Sequence, residues 1–165
     1  MTKLLVVSDS HTEVNILSEL YRRYQATCDY FLHCGDSQLP LDHGLWEIYQ
    51  TVQGNCDLAA FPKRRILEMP EGKIFLTHGH LYQVKMGVAR LQEAAREADC
   101  DLALFGHSHI ATYVEGAVPA LNPGSISQPR GPISYPSYAI VDWQPLGIEV
   151  HFYTKNHELL DELVK

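Results

Sequence analysis

Five short stretches place carboxylate, imidazole and amide side chains at the ends of apolar runs. They are Asp9-Ser10-His11, Gly35-Asp36, Gly54-Asn55, His78-Gly79-His80 and Gly106-His107-Ser108-His109. In an extended or gently turning chain, residues i and i+2 project to the same side. Asp9 and His11 can therefore offer an oxygen and a nitrogen to one ion, and His107 and His109 can offer two imidazoles. The neutral side-chain oxygen of Asn55 suits a hard cation. Each stretch also has an ordinary reading. Asp9, Ser10 and Thr12 favour helix caps, and so does Asp36. Asn55 beside Gly54 is common turn chemistry, and a lone histidine such as His78 is more often structural than a ligand. Five such stretches in one chain are improbable unless the strand ends that carry them meet. A mixed nitrogen and oxygen donor set without thiolates suits Mn²⁺, Fe²⁺, Co²⁺, Ni²⁺ or Zn²⁺ in a reactive site, and argues against a structural zinc.

The elements that must position these residues are legible from hydrophobic periodicity. Lys3–Ser8 and Tyr30–Cys34 read as continuous apolar strands, the kind covered on both faces. Glu13–Tyr24 has the spacing of an amphipathic helix, with Val14, Leu17, Leu20 and Tyr21 toward a core. Leu39–Gln50 suggests an amphipathic turn or short helix, and Thr51–Gln53 a short strand. Arg64–Met69 and Lys73–Thr77 form a hairpin around Pro70, Glu71 and Gly72. Met86–Ala98 reads as a second helix and Asp101–Phe105 as a further strand. Tyr113–Leu121 holds one or two short strands. Ser137–Trp143 and Gly147–Tyr153 form a closing hairpin, and Asn156 caps a last helix over His157–Val164. Asn122-Pro123-Gly124-Ser125 is turn chemistry that leads to Pro129-Arg130. For Arg130, substrate contact and a solvated loop position are both open readings.

The bulk properties set limits. The chain has 165 residues and reads as one domain over 1–165 with room for a sizeable core. Its net charge of -7 disfavours nucleic acid, which needs a basic face, and an anionic membrane surface. An anionic partner would need a local positive charge, which bound metal can supply, and a homo-oligomer is compatible with the sequence. No apolar run reaches membrane-spanning length. Cys28, Cys34, Cys56 and Cys100 show no CxxC spacing, so they read as reduced thiols of a cytoplasmic protein.

In order and complete, the five stretches resemble the motifs of the calcineurin-like metallophosphoesterases. The short chain and the Asn122-Pro123-Gly124-Ser125 turn resemble the small bacterial and archaeal phosphodiesterase branch. That branch also includes a eukaryotic retromer subunit that acts as a scaffold. The resemblance implies an α/β fold with two packed mixed β-sheets flanked by helices, a four-layer α/β/β/α sandwich. It implies two divalent metal ions, with Mn²⁺ the expected choice and Ni²⁺, Co²⁺, Fe²⁺ or Zn²⁺ as alternatives. Asp9, His11, Asp36 and His109 would hold one ion. Asp36, Asn55, His78 and His107 would hold the other, with Asp36 as the bridge. Catalysis would run through these metals, with a bridging hydroxide attacking a small-molecule phosphate ester, a phosphodiester, in line. A nucleotide pyrophosphatase, a phosphomonoesterase and a binding scaffold are the alternatives. Many family members carry histidine after the Gly-Asn pair, where it helps to protonate the leaving oxygen. Here Cys56 and then Asp57 follow. A thiol with a reference pKa near 8.5 is a poor match for that task. Asp57, His80 or the substrate could supply the proton instead.

Overall fold

A computed structural model describes residues 1–164. Strand β1 (Thr2–Val7) shows how the layers arise. Side chains alternate across a strand. Leu4 and Val6 point into one apolar cluster, and Leu5 and Val7 into another. A strand buried on both faces must lie between two layers. The Leu5 and Val7 face is covered by helix α1 (Asn15–Tyr24), which buries Ile16, Leu17 and Leu20. The Leu4 and Val6 face meets a second sheet.

The first sheet has the order β10-β9-β1-β2-β3, with β2 at Tyr30–His33, β3 at Tyr49–Thr51, β9 at Ser137–Gln144 and β10 at Gly147–Thr154. The second has the order β4-β5-β6-β8-β7. Its strands are β4 (Arg64–Met69), β5 (Gly72–Thr77), β6 (Leu102–Leu104), β7 (Thr112–Val114) and β8 (Ala120–Asn122). There Ile74, Leu76, Leu102 and Leu104 face the first sheet, and Phe75 and Ala103 face helix α2 (Ala89–Glu97). The result is the expected four-layer α/β/β/α sandwich of two mixed sheets. Strands β1, β2 and β3 are mutually parallel, as are β5, β6 and β8. All five motifs follow carboxyl ends of these parallel strands, where open α/β sheets build their sites.

Four boundaries differ from the sequence reading. The 39–50 segment forms one short 3₁₀ turn, Gly44–Glu47, and the strand after it begins at Tyr49 rather than Thr51. Helix α2 starts at Ala89. The residues before it make two 3₁₀ turns, His80–Tyr82 and Val84–Met86, separated by Gln83 with φ of 53°. The terminal helix α3 is Asp161–Val164 only. His157 lies ahead of it with φ of 70°, which no helix accommodates. Its ring bonds to the Tyr138 hydroxyl and to Glu19, tying the turn after β10 to β9 and α1. His157→Ala should therefore lower the melting temperature while leaving any activity in the folded protein intact, which a thermal melt beside a rate measurement would check.

Candidate metal centre

The strand ladders continue into the motif loops and fix them against one another. Past β1 and β2, the Asp9 amide donates to the Gly35 carbonyl and the His11 amide to the Asp36 carbonyl, each at 3.0 Å. In the second sheet the Gly106 amide donates to the His78 carbonyl at 2.9 Å. The glycines are there because carboxylates press on their backbone. A Cβ on Gly54 would overlap the Asp36 carboxylate, and one on Gly106 would overlap Ser8 and Asp9. Asp9, His11, Asp36, His107 and His109 all have positive φ. Such backbone is costly for residues with a side chain and concentrates at functional sites.

Asp9 lies at the centre and is fully buried. Its Oδ2 accepts from the Ser8 hydroxyl and the His107 amide. Its Oδ1 lies 3.0 Å from His78 Nε2, 3.2 Å from His109 Nε2 and 3.8 Å from His11 Nε2. Asp36 approaches from β2. Its Oδ1 accepts from the Cys56 amide at 2.8 Å, and its Oδ2 lies 3.3 Å from His78 Nε2. One nitrogen therefore faces two buried carboxylates. Burial opposes the charge on His78, but Asp36 and Asp9 outweigh it and push its pKa up to about 9. Burial likewise opposes the charge on Asp9. The neighbouring histidines prevail and hold its carboxyl far below the usual range. His107 is pushed down to about 4, first by burial and then by the positive charge on His78.

His11 and His109 show a second feature. His11 Nδ1 is 2.7 Å from the Gln38 side-chain oxygen, and His109 Nδ1 is 2.6 Å from the Gln128 carbonyl. Both partners are acceptors, so both Nδ1 atoms are donors. In the neutral rings each Nε2 then bears a lone pair. Those two nitrogens stand 3.4 Å apart and point at Asp9. Facing lone pairs beside a buried carboxylate call for a cation. This is the arrangement by which outer partners orient metal-ligating histidines.

Asp9, His11 and His109 form one group whose donor atoms lie within 4.8 Å of one another. Asp9, Asp36 and His78 form a second such group, and His11, Asp36 and Cys56 a third. The residues thus fit divalent metal on their own chemistry. His107 is brought against His78, with ring centroids 5.0 Å apart. Asn55 stands exposed at the rim, where its amide approaches the Cys56 sulfur. The Cys56 thiol is exposed, and its pKa is raised by burial and then by Asp36. Cys28, Cys34 and Cys100 are buried and unpaired.

Sequence reasoning missed the frame around these residues. Asp57 accepts three backbone N–H groups, those of Asp36, Gln38 and Gly54, at 2.7 to 2.9 Å. The Ser125 and Ser127 hydroxyls both donate to the Asp9 carbonyl. The Asn122 amide donates to the Gly106 carbonyl and the Ser108 hydroxyl. The Asn122-Pro123-Gly124-Ser125 turn was the available signal, since Asn and Ser in turns bond to nearby backbone. His33 is buried behind the site. Gly35 donates to its Nδ1, so its Nε2 donates to Ser10, and burial pushes its pKa down to about 4.

The fold and donor set together define a metal-dependent hydrolase of the type that builds its centre at the edge of two packed sheets. Residues 2–145 match the model of the calcineurin-like phosphoesterase superfamily domain. The chain is 37% identical over 163 residues to the probable metallophosphoesterase YsnB of Bacillus subtilis, covering 97% of this chain and 95% of that one. It is 35% identical over 98 residues to the phosphodiesterase YfcE of Escherichia coli, about half of each chain at 51% and 48%. A solved structure from Streptococcus pneumoniae, described as a predicted phosphoesterase, superposes with a TM-score of 0.91 at 39% identity, covering 96% of this chain and 92% of that one. The chain belongs to the calcineurin-like phosphoesterase superfamily, whose members use divalent metals.

Proposed function

We propose that the chain is a cytoplasmic phosphodiesterase working at a dinuclear metal centre. Asp9, His11, Asp36 and His109 would hold one ion, and Asp36, Asn55, His78 and His107 the other. The observation that carries this reading is the position of Asp36. Its carboxylate belongs to two candidate groups, one with His11 and Cys56 and one with Asp9 and His78, which supports a bridging role. Two divalent ions bound there would clamp the phosphate oxygens and lower the pKa of the attacking water. The chain's own residues do the rest. Gln38 and the Gln128 carbonyl hold the His11 and His109 rings in the tautomer that presents Nε2. Ser8 and the His107 amide hold the Asp9 carboxylate at its second oxygen. Two dications less two aspartates leave the centre positive in a chain of net charge -7, which favours an anionic ester.

The test is elemental analysis after metal loading, joined to hydrolysis of a panel of phosphodiesters, monoesters and nucleotides with Mn²⁺, Ni²⁺, Co²⁺, Fe²⁺ and Zn²⁺ in turn. About two ions per chain and metal-dependent diester cleavage are expected. A reproducible content near one would remove the dinuclear centre, and exclusive cleavage of monoesters or pyrophosphates would reassign the reaction.

Cys56 bears on the leaving group. Its raised pKa makes the thiol a still weaker acid at neutral pH. Burial and then the His78 charge lower the His80 pKa, so its cationic, proton-donating form is less populated, and its Nδ1 faces His78 Nδ1 at 3.1 Å. Cys56→His should therefore speed esters with poor leaving groups, by up to about 10²-fold, and change nitrophenyl esters little. The exposed position leaves room for the ring. Equal acceleration of both ester types would count against a proton-donor role at this position.

A further inference from the structure

A cavity of about 550 Å³ adjoins the histidine motifs of the candidate centre. Its walls are built on the two histidine motifs of the second sheet. Val84 packs against the His78-Gly79-His80 turn so closely that a Cβ on Gly79 would meet it at 2.8 Å. Phe105 and Ser108 belong to the segment that carries His107 and His109. On the far side β7 contributes Thr112 and Val114. Tyr113 between them packs toward the inter-sheet core, so its two neighbours face the other way. Arg130 completes the rim. Its backbone amide donates to the His109 carbonyl at 3.0 Å, which fixes this segment against the centre.

The lining is mainly apolar, and the charged residues on it, Lys85 and Arg130, are both cations. An apolar cavity whose walls adjoin the two histidine motifs and carry two cations suits an anion with an apolar body. The volume falls within the range of small-molecule sites, about 300–1,000 Å³, and exceeds what a methyl ester needs. On the phosphodiesterase reading above, we propose that this cavity receives one organic substituent of the diester, an apolar or aromatic group of about ring size, while the phosphate sits at the centre. The cavity then sets substrate choice, favouring aryl or nucleoside-like diesters over small alkyl ones. Arg130 acts at its rim on the anion rather than on the metals.

The experiment uses the metal-loaded protein and methyl p-nitrophenyl phosphate as reporter substrate. Diphenyl phosphate and dimethyl phosphate are compared as competitive inhibitors. Diphenyl phosphate is expected to bind at least about tenfold more tightly, the order expected for filling an apolar pocket. Val114→Trp, which fills the cavity from an edge strand, should erase that preference and raise the reporter's KM, because the nitrophenyl group would occupy the same cavity, while leaving the dimethyl phosphate constant unchanged. Val114→Ser should retain part of it. In parallel, the methyl NMR signals of the lining residues Val84, Val88 and Val114 should shift on adding diphenyl phosphate and stay still on adding dimethyl phosphate. Equal inhibition by the two phosphates in the wild type, or an undiminished preference in a folded Val114→Trp protein, overturns the proposal. Absence of metal-dependent reporter hydrolysis in the wild type would instead overturn the phosphodiesterase reading, and the NMR arm would still report on the cavity.

Discussion

Asp36→Asn is expected to lower kcat/KM by about 10³-fold, with metal content falling below that of the wild type. The magnitude is set against two references. Loss of an outer hydrogen-bond partner typically costs 10–100-fold in metal affinity or activity, and loss of one group that stabilises transition-state charge costs about 10²–10³-fold. Asp36 would do both kinds of work if it bridges. The substitution keeps the shape and removes the charge. It also leaves no good orientation for the amide. With the –NH₂ group at the Oδ1 position it meets the Cys56 N–H, donor against donor. With it at the Oδ2 position it faces His78 Nε2, which carries a proton between the two carboxylates in the metal-free protein. Asp36 is only 2% exposed, so water cannot relieve either conflict. Metal analysis and steady-state kinetics on the same preparation decide the matter. A variant with two ions and wild-type turnover would remove Asp36 from the bridge. Intact metal with slow turnover would instead place the damage in the chemistry.

Why this site could be read from the chain at all follows from strand physics. β1, β5 and β6 are buried on both faces, so their sequences are continuous apolar runs that stop where the sheet stops. A polar Asp or His placed directly after such a run must lie at a sheet edge. The motifs therefore announced their own location, and the alternation of Leu4, Leu5, Val6 and Val7 between two clusters was implicit in the period of two. The terminal helix was harder. Leu159, Leu160 and Leu163 have helical spacing, but the Thr154 amide donates to the Glu158 carbonyl, its hydroxyl oxygen accepts from the Glu158 amide, and the Leu160 amide returns to bond with β10, so the chain cannot become helical before Asp161. Those are tertiary contacts that periodicity does not encode. The segment before α2 failed for a related reason: Gln83 takes a left-handed conformation that splits the apolar run into two short turns. The frame of the centre stayed invisible because its members bond to backbone. Nothing in the spacing of Asp57, Ser125 or Gln128 says which carbonyl or amide will lie opposite.

Asp57→Asn tests that frame. The Asp57 carboxylate is 7% exposed and turns inward, with Oδ2 accepting from the Asp36 and Gly54 amides and Oδ1 from the Gln38 amide. It thereby joins the Asp36 loop to the Gly54-Asn55 loop, and through Gln38 it reaches the residue that orients His11. A neutral amide has one acceptor oxygen. Placed at Oδ2 it retains two bonds and sets its –NH₂ group against the Gln38 N–H. Placed at Oδ1 it retains one bond and opposes two donors. Hydrogen bonds to a charged group are worth about 1.5–3 kcal/mol each, so a loss of about 2–4 kcal/mol in folding stability is expected for the better orientation. Metal affinity should fall by about 10–100-fold as the two loops loosen. A positioning role makes a further demand that separates it from proton donation. Asp57→Asn should slow nitrophenyl and alkyl esters by the same factor, because the defect lies in the placement of Asp36 and Asn55 and not in leaving-group protonation. If the loss were confined to esters with poor leaving groups, with melting temperature and metal content unchanged, Asp57 would be the missing acid and its three backbone bonds would be incidental to its role.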